Sequence, residues 1–247
     1  MLPKADITRR RRNALMILTI LLLVVNISYV LLARWRADEQ LQQSLVSEGS
    51  TLQSTFHLTL DTTYAAMLQL ATAIADDQRV QQTFWNGRQA WQQEGGGGGG
   101  RQTALFRQQL LKLVSPMWQR QMLNFSARQF EFHFGPSAVS FLRVHQPDLY
   151  GDRTDALRHM IVDLNNDHMA RSGLEFGRTH AALRSAVPVW HESTGLPRTY
   201  IGSLEVGTSF EPILQLMLKQ TGKHAAILLE RERIDQSLWQ QFKSQYQ

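Results

Sequence analysis

Phe141, Arg143 and His145 recur at two-residue spacing in the run VSFLRVH, and successive side chains of a strand point to opposite faces. Their spacing therefore predicts one shared strand face with an apolar wall, a guanidinium and an imidazole. A guanidinium grips a carboxylate or phosphate through two parallel hydrogen bonds, so the chemistry on offer is recognition of a small anion. Tyr150 and Asp152, in the turn Pro147 to Asp152, add a hydroxyl and an acceptor for an amine or a second hydroxyl. Arg184 is a second candidate cation, and Arg158 or His159 can approach from a helical segment. The competing reading is internal: an arginine beside an aspartate-bearing turn forms an ion pair, because buried charges are normally paired.

Other chemistry finds little footing. His133 and His145 lack the Asp or Cys at ligand spacing that a metal site needs, and His133 is expected to bond a main-chain group. The sequence contains no HExxH, GxSxG, Walker or kinase signature, so no enzymatic activity and no cofactor are expected. His191, Glu192 and Ser193 fall in a turn, where solvation is the expected fate. Phe130, Phe132 and Phe134 alternate with Glu131 and His133 and are expected in the core. Cysteine is absent, which removes disulfides, thiolate metal sites and a cysteine nucleophile.

The elements that must position these residues form an α+β pattern. Short alternating runs, FEFHF, VSFLRVH, SGLEFG, THAALRSAVPVW and RTYIGSLEVG, predict an antiparallel sheet. A helical stripe of Ala156, Leu157, Met160, Ile161 and Leu164 interrupts them over 153–165. A helix follows over 210–218, with Ser209 as cap and Glu211 and Pro212 in its first turn. Upstream, 105–123 is helical, with Pro116 expected to kink or end it, and 95–100 is an uninterrupted glycine run read as a flexible loop. That run lacks the Lys-Ser/Thr and the strand that a phosphate loop requires.

The segment Ala14 to Leu32 carries no charge and is long enough, at about 1.5 Å per residue, to cross a bilayer of roughly 30 Å. It exceeds the apolar part of a cleaved signal peptide and ends in Ala33-Arg34-Trp35-Arg36, so an uncleaved anchor is expected. Lys4 and Arg9 to Arg12 precede it, which places the N-terminus in the cytoplasm of a single-pass inner-membrane protein and the bulk of the chain in the periplasm. The net charge of +5 does not point to nucleic acid, because five basic residues belong to this flank and the others are mixed with acids. Between Leu41 and Ile74 apolar residues recur at spacings of three, four or seven. That seam packs on its own domain, on a second copy, or partly on each.

The ordered combination FEFHFGPSAVSFLRVHQPDLYGD, LRHMIVDLNN, SGLEFGRTHAALRSAVPVW and YIGSLEVGTSF resembles the ligand-sensing Cache domains. It resembles in particular the double Cache type found outside the membrane in bacterial chemoreceptors, sensor kinases and diguanylate cyclases. The resemblance runs from Phe130 to Phe210 and implies a PAS-like sheet, a long membrane-exiting helix, a small-molecule ligand of anionic or amino-acid-like character, and a homodimer or signalling partner. Together with the anchor and glycine loop read from the residues above, this gives an expected division into a cytoplasmic N-terminus (1–13), an anchor (14–33), a helical region with the glycine loop (34–124), a Cache module (125–221), and the start of a second module or a tail (222–247). Three readings stay open at this point: a free-standing anchored sensor, the sensory half of a cyclase or kinase whose catalytic part lies elsewhere, and a structural interaction protein.

Overall fold

A computed structural model describes residues 4–176, 181–193, 195 and 197–237. The chain divides into two compact units, Met1–Thr55 and Phe56–Gln247, with the division falling inside one helix. That helix, α1, runs Lys4–Ala75. In the first unit the apolar side chains from Leu15 to Leu32 are all exposed, and the stretch is long and apolar enough to cross a membrane by length and composition. Leu41, Leu45 and Val46 are exposed as well.

In the second unit the seam turns inward. Phe56, Leu60 and Tyr64 pack against the domain core, and Met67, Ala71 and Ile74 are buried in it. The core continues through α2 (Gln78–Gln93), whose Val80, Phe84, Gly87 and Ala90 recur every three or four residues on one buried face. Asp77 caps α2 by accepting from the Arg79 N–H. Helix α3 spans Arg101–Phe125 without interruption. Pro116 lies inside it and does not end it. The Ser115 hydroxyl donates to the Leu111 carbonyl at 2.6 Å, one residue before the Lys112 carbonyl whose regular helical partner would be the N–H that Pro116 lacks.

Between α2 and α3 the glycine run has a defined path. Four of its six glycines, Gly95, Gly96, Gly97 and Gly99, take positive φ, which a side chain would resist. Trp91 Nε1 donates to the Gly97 carbonyl at 2.8 Å. Glu94 accepts from the Gly100, Gln102 and Thr103 N–H groups and from the Thr103 hydroxyl, which closes the turn onto the start of α3. These bonds hold the segment that composition alone marked as loose.

The sheet comprises β1 (Ala127–Phe134), β2 (Val139–Arg143), β3 (Arg171–Phe176), β4 (Ala181–His191) and β5 (Thr199–Thr208), in the order β2-β1-β5-β4-β3 and antiparallel throughout. One face packs on α2 and α3: Phe84 stacks on Phe134 at 5.2 Å and tilts against Phe132 and Phe141. The expectation that Phe130, Phe132 and Phe134 are core holds. On the other face lies α4 (His159–Asp167), which buries Met160, Ile161 and Leu164 against Ala138 and Ala186. This helix starts six residues later than its apolar stripe suggested. Arg153 instead bridges to Val139, and the Thr154 hydroxyl and N–H both donate to the Ala138 carbonyl.

Helix α5 (Glu211–Thr221) has Phe210 at its cap, with only a long 3.4 Å contact from the Glu211 N–H to Ser209 Oγ. Residues 223–230 have no regular structure, and α6 covers Arg231–Ser237. The start of the 179–190 run, the middle of the 192–198 turn and the end of the tail lie outside the described residues.

Candidate functional site

The sheet face beneath α4 is charged and almost fully buried. Alternation in β1 turns Glu131 and His133 to the side opposite the phenylalanines, and the register sets His133 beside Ser203 and Glu131 beside Glu205 of β5. Ser140 and Arg143 join from β2, Arg184 from β4, Glu175 from β3, and Arg158 from the residue preceding α4. His133, Arg184 and Glu205 have no solvent exposure. The burial of so many charges is tolerable only because nearly all are paired.

The pairing can be followed atom by atom. Arg184 Nη1 donates to Glu205 Oε1 at 2.6 Å, and Arg158 Nη2 meets the other oxygen of Glu205. Arg158 Nε donates to Glu175 Oε2 at 2.9 Å, while the second oxygen of Glu175 accepts from the Met160 N–H at the first turn of α4. Arg143 Nε lies 3.0 Å from Glu131 Oε1, an oxygen that also accepts from Ser140 Oγ at 2.7 Å. The outer end of Arg143 takes the Asp152 carboxylate in parallel bonds of 2.7 and 3.0 Å.

Some atoms are left over. Both ring nitrogens of His133, the Ser203 hydroxyl, and Nε and Nη2 of Arg184 have no hydrogen-bond partner among the described residues. His133 Nε2 is 3.8 Å from Glu131 and 3.9 Å from Glu205, beyond hydrogen-bond reach. Burial, reinforced by the cationic Arg158, Arg143 and Arg184 and opposed by Glu131, pushes His133 down to about 4, so it is neutral at pH 7. Burial works against the charged form of Glu131 too, but the electrostatic pull of His133, Arg143 and Arg158 with the Ser140 hydrogen bond outweighs it and holds this carboxyl low. Burial and then the neighbouring Arg158 push Arg184 well below the ordinary guanidinium range.

The structure brings Arg143, Asp152, Arg158 and Arg184 together and separates the other candidates. Phe141 is on the opposite face from Arg143, because the register steps from Phe132↔Leu142 to His133↔Ser140 and leaves Phe141 as the extra residue of a β-bulge. Its ring packs 4.5 Å from Phe134 and fills the space over Gly87. His145 lies past the end of β2, its ring 6.4 Å from Trp118 and its Nδ1 3.3 Å from the Phe130 backbone, and burial lowers its pKa. Tyr150 stacks under the Arg107 guanidinium at 3.5 Å, away from the charged face. Among the described residues His133 bonds no main-chain group, contrary to expectation. His191 is not solvated: it ends β4, stacked 4.7 Å from Trp85.

Sequence reasoning missed Glu131, His133, Glu175, Ser203 and Glu205 as members of the cluster. The alternation in FEFHF already turned Glu131 and His133 away from the core. Arg143 and Ser140, which hold Glu131, lie within a dozen positions of it, but Ser203 and Glu205 come from a strand some 70 positions distant, and cross-strand register is not written in any one run.

An α-helix, a five-stranded antiparallel sheet and a charged face covered by a short helix define a PAS-like sensory module. The sequence matches the double sensory domain of two-component sensor kinases over residues 31–245, and the chain belongs to this double Cache family. It is a sensory domain. Among solved structures it is similar to the E. coli DcuS sensor domain, at 12% identity over 66% of this chain and 98% of that one, with a TM-score of 0.45. It is also similar to the V. cholerae histidine kinase DctB sensor domain, at 11% identity over 78% of this chain and 75% of that one, with a TM-score of 0.49. No curated protein sequence matches.

Proposed function

We propose that the chain is a membrane-anchored extracytoplasmic sensor that binds a small anionic or amino-acid-like ligand on the charged sheet face beneath α4. The observation that carries this reading is the unpaired side of the Arg184 guanidinium. Its Nε and Nη2 form the side-on fork that fits a carboxylate, and both are buried without a hydrogen-bond partner among the described residues while Nη1 holds Glu205. Buried donors left unmatched are costly, and a ligand that supplies the acceptors recovers that cost on binding. Arg143 and Arg158 raise the positive potential around the seat, and Ser203 and neutral His133 offer groups that donate or accept.

The anchor is residues 14–33 of α1, with the basic residues before it in the cytoplasm and the sensory module, 125–221, on the far side. The exposed apolar positions around Leu41 and Leu45 continue the spacing of the buried seam and suit a second copy or a signalling partner. The direct test is a thermal-shift screen of the full chain in detergent micelles against organic acids, amines and amino acids, because a ligand bound only by the folded state raises its melting temperature. An anion-dependent shift that disappears in Arg184→Lys supports the reading; a shift confined to amines or unchanged by the substitution rejects it.

A further inference from the structure

Arg143 and Arg184 differ in one respect: the outer fork of Arg143 is already filled, by a carboxylate belonging to the protein itself. Asp152 places both oxygens on Nη1 and Nη2, the geometry that an incoming carboxylate would adopt. The two acids on this guanidinium are unequal. Glu131, on Nε, has a side chain only 5% exposed, whereas the Asp152 side chain is 36% exposed and sits at the end of an irregular loop, 146–152.

That loop is gripped from two sides. Arg143 Nη1 also donates to the Leu149 carbonyl at 3.0 Å, so the same guanidinium holds the loop at two points. On the other side the Tyr150 ring lies against the Arg107 guanidinium of α3. Arg107 in turn donates from Nε to the Phe141 carbonyl and from Nη2 to the Gly98 carbonyl. Gly151, at φ +86, lies so close to Gly98 that a Cβ would meet the Gly98 backbone at 2.6 Å. One loop therefore joins the charged face to the start of α3 and the glycine turn. The Asp152 main chain is bonded independently to Ser140, so its side chain can swing away while the backbone pairing stays.

We infer that Asp152 is an internal stand-in for a carboxylate ligand on Arg143, and that its displacement releases the 146–150 segment and is felt through Tyr150 and Arg107 at α3. This rests on the reading of the charged face as an anion-binding site. A ligand carboxylate takes the two parallel bonds, Asp152 turns to solvent, and the Nη1 bond to Leu149 is lost with it. The loop then keeps its Tyr150 stack, its Gly98 contact and the backbone bonds of Gln146, Gly151 and Asp152. Binding strength is set by competition, so the site reports only anions that outbid a tethered carboxylate.

Chemical rescue tests this on the full chain in detergent micelles. Acetate is the Asp152 side chain cut free, and sodium chloride at matched ionic strength is the control. Asp152→Ala is expected to melt lower than the parent, and acetate should raise its melting temperature more than it raises the parent's. Adding Arg143→Gln to Asp152→Ala should abolish that rescue. Asp152→Asn, which keeps the shape and loses the charge, provides the same comparison if the alanine variant fails to fold, and its acetate affinity should exceed the parent's by roughly tenfold or more. Hydrogen exchange of residues 146–152 and 95–107 should quicken in either variant and stay fast with acetate bound, since free acetate fills the fork without tethering the loop.

Absence of acetate rescue in both variants overturns the proposal, as does exchange unchanged from the parent. The two readings fail separately. Rescue lost while an Arg184-dependent ligand shift persists removes the role of Asp152 alone. Rescue retained while no Arg184-dependent shift exists removes the Arg184 seat and leaves Asp152 as the stand-in.

Discussion

Arg143 holds Asp152 end-on through two bonds and Glu131 through a third, so one guanidinium ties the irregular loop 146–152 to the centre of the sheet. Removing it strands a buried carboxylate. Arg143→Ala should destabilise the domain by about 3 kcal/mol, the lower end of what breaking a buried pair costs, because Asp152 can turn to water but Glu131 cannot. Denaturant unfolding measures this. A loss below about 0.5 kcal/mol, the range of an ordinary surface change, would mean that the network contributes little.

His133 makes stability depend on pH in a defined window. Its folded pKa lies at about 4, below the unfolded value of about 6.5, so on acidification the unfolded chain takes up a proton that the folded chain refuses. Stability should fall as pH drops from about 6.5 to about 4, by up to about 3 kcal/mol at 1.36 kcal/mol per unit. Glu131 adds a further loss at lower pH, as the medium falls from its unfolded value towards its depressed folded one. His133→Gln should flatten the first limb and keep the second; urea midpoints measured from pH 7 to pH 3 decide it.

Gly87 lets α2 approach the sheet. A Cβ there would stand 2.7 Å from the tip of the Phe141 ring, which is enclosed by Phe84 and Phe134 and has nowhere to retreat. Gly87→Ala gains helix propensity of about 1 kcal/mol yet should still lower stability, since overpacking a core costs roughly 1–3 kcal/mol. A melting temperature above the parent's would show that the ring has room to move.

The apolar seam of α1 predicts two different phenotypes. Leu60→Asp places a charge against the domain core and should lower the melting temperature. Leu45 is 54% exposed, so Leu45→Asp should leave melting alone and weaken self-association, read by sedimentation equilibrium in detergent. Unchanged association in Leu45→Asp removes the second copy from that face.

Topology has its own test. A reporter active only in the periplasm, fused after Gln247, should be active, and a reporter active only in the cytoplasm should be silent there. The reverse pattern overturns the extracytoplasmic placement.

Local pattern carried the element types. Strand alternation in FEFHF and YIGSLEVG, the charge-free stretch Ala14 to Leu32, and the helical spacing of Leu41 to Ile74 each follow from the residue types of one continuous stretch of chain. The pairing of Arg143 with an aspartate-bearing turn was legible on the same grounds, as one of two readings. Helix α2 was missed because its polar composition hides a narrow buried stripe of Val80, Phe84, Gly87 and Ala90.

Tertiary structure decided what local pattern could not reach. A single extra residue in β2 sent Phe141 to the core and Arg143 to the charged face, since side-chain direction in a strand reverses with every residue and a bulge resets the count. The glycine turn gained its shape from Trp91, Glu94, Thr103 and Arg107, contacts that composition does not encode. Glu205 became the partner of Arg184 and Arg158 only when β5 settled between β1 and β4. Charges separated by tens of residues are uncorrelated along the chain, and only the register that buries the phenylalanines on one side brings them together on the other.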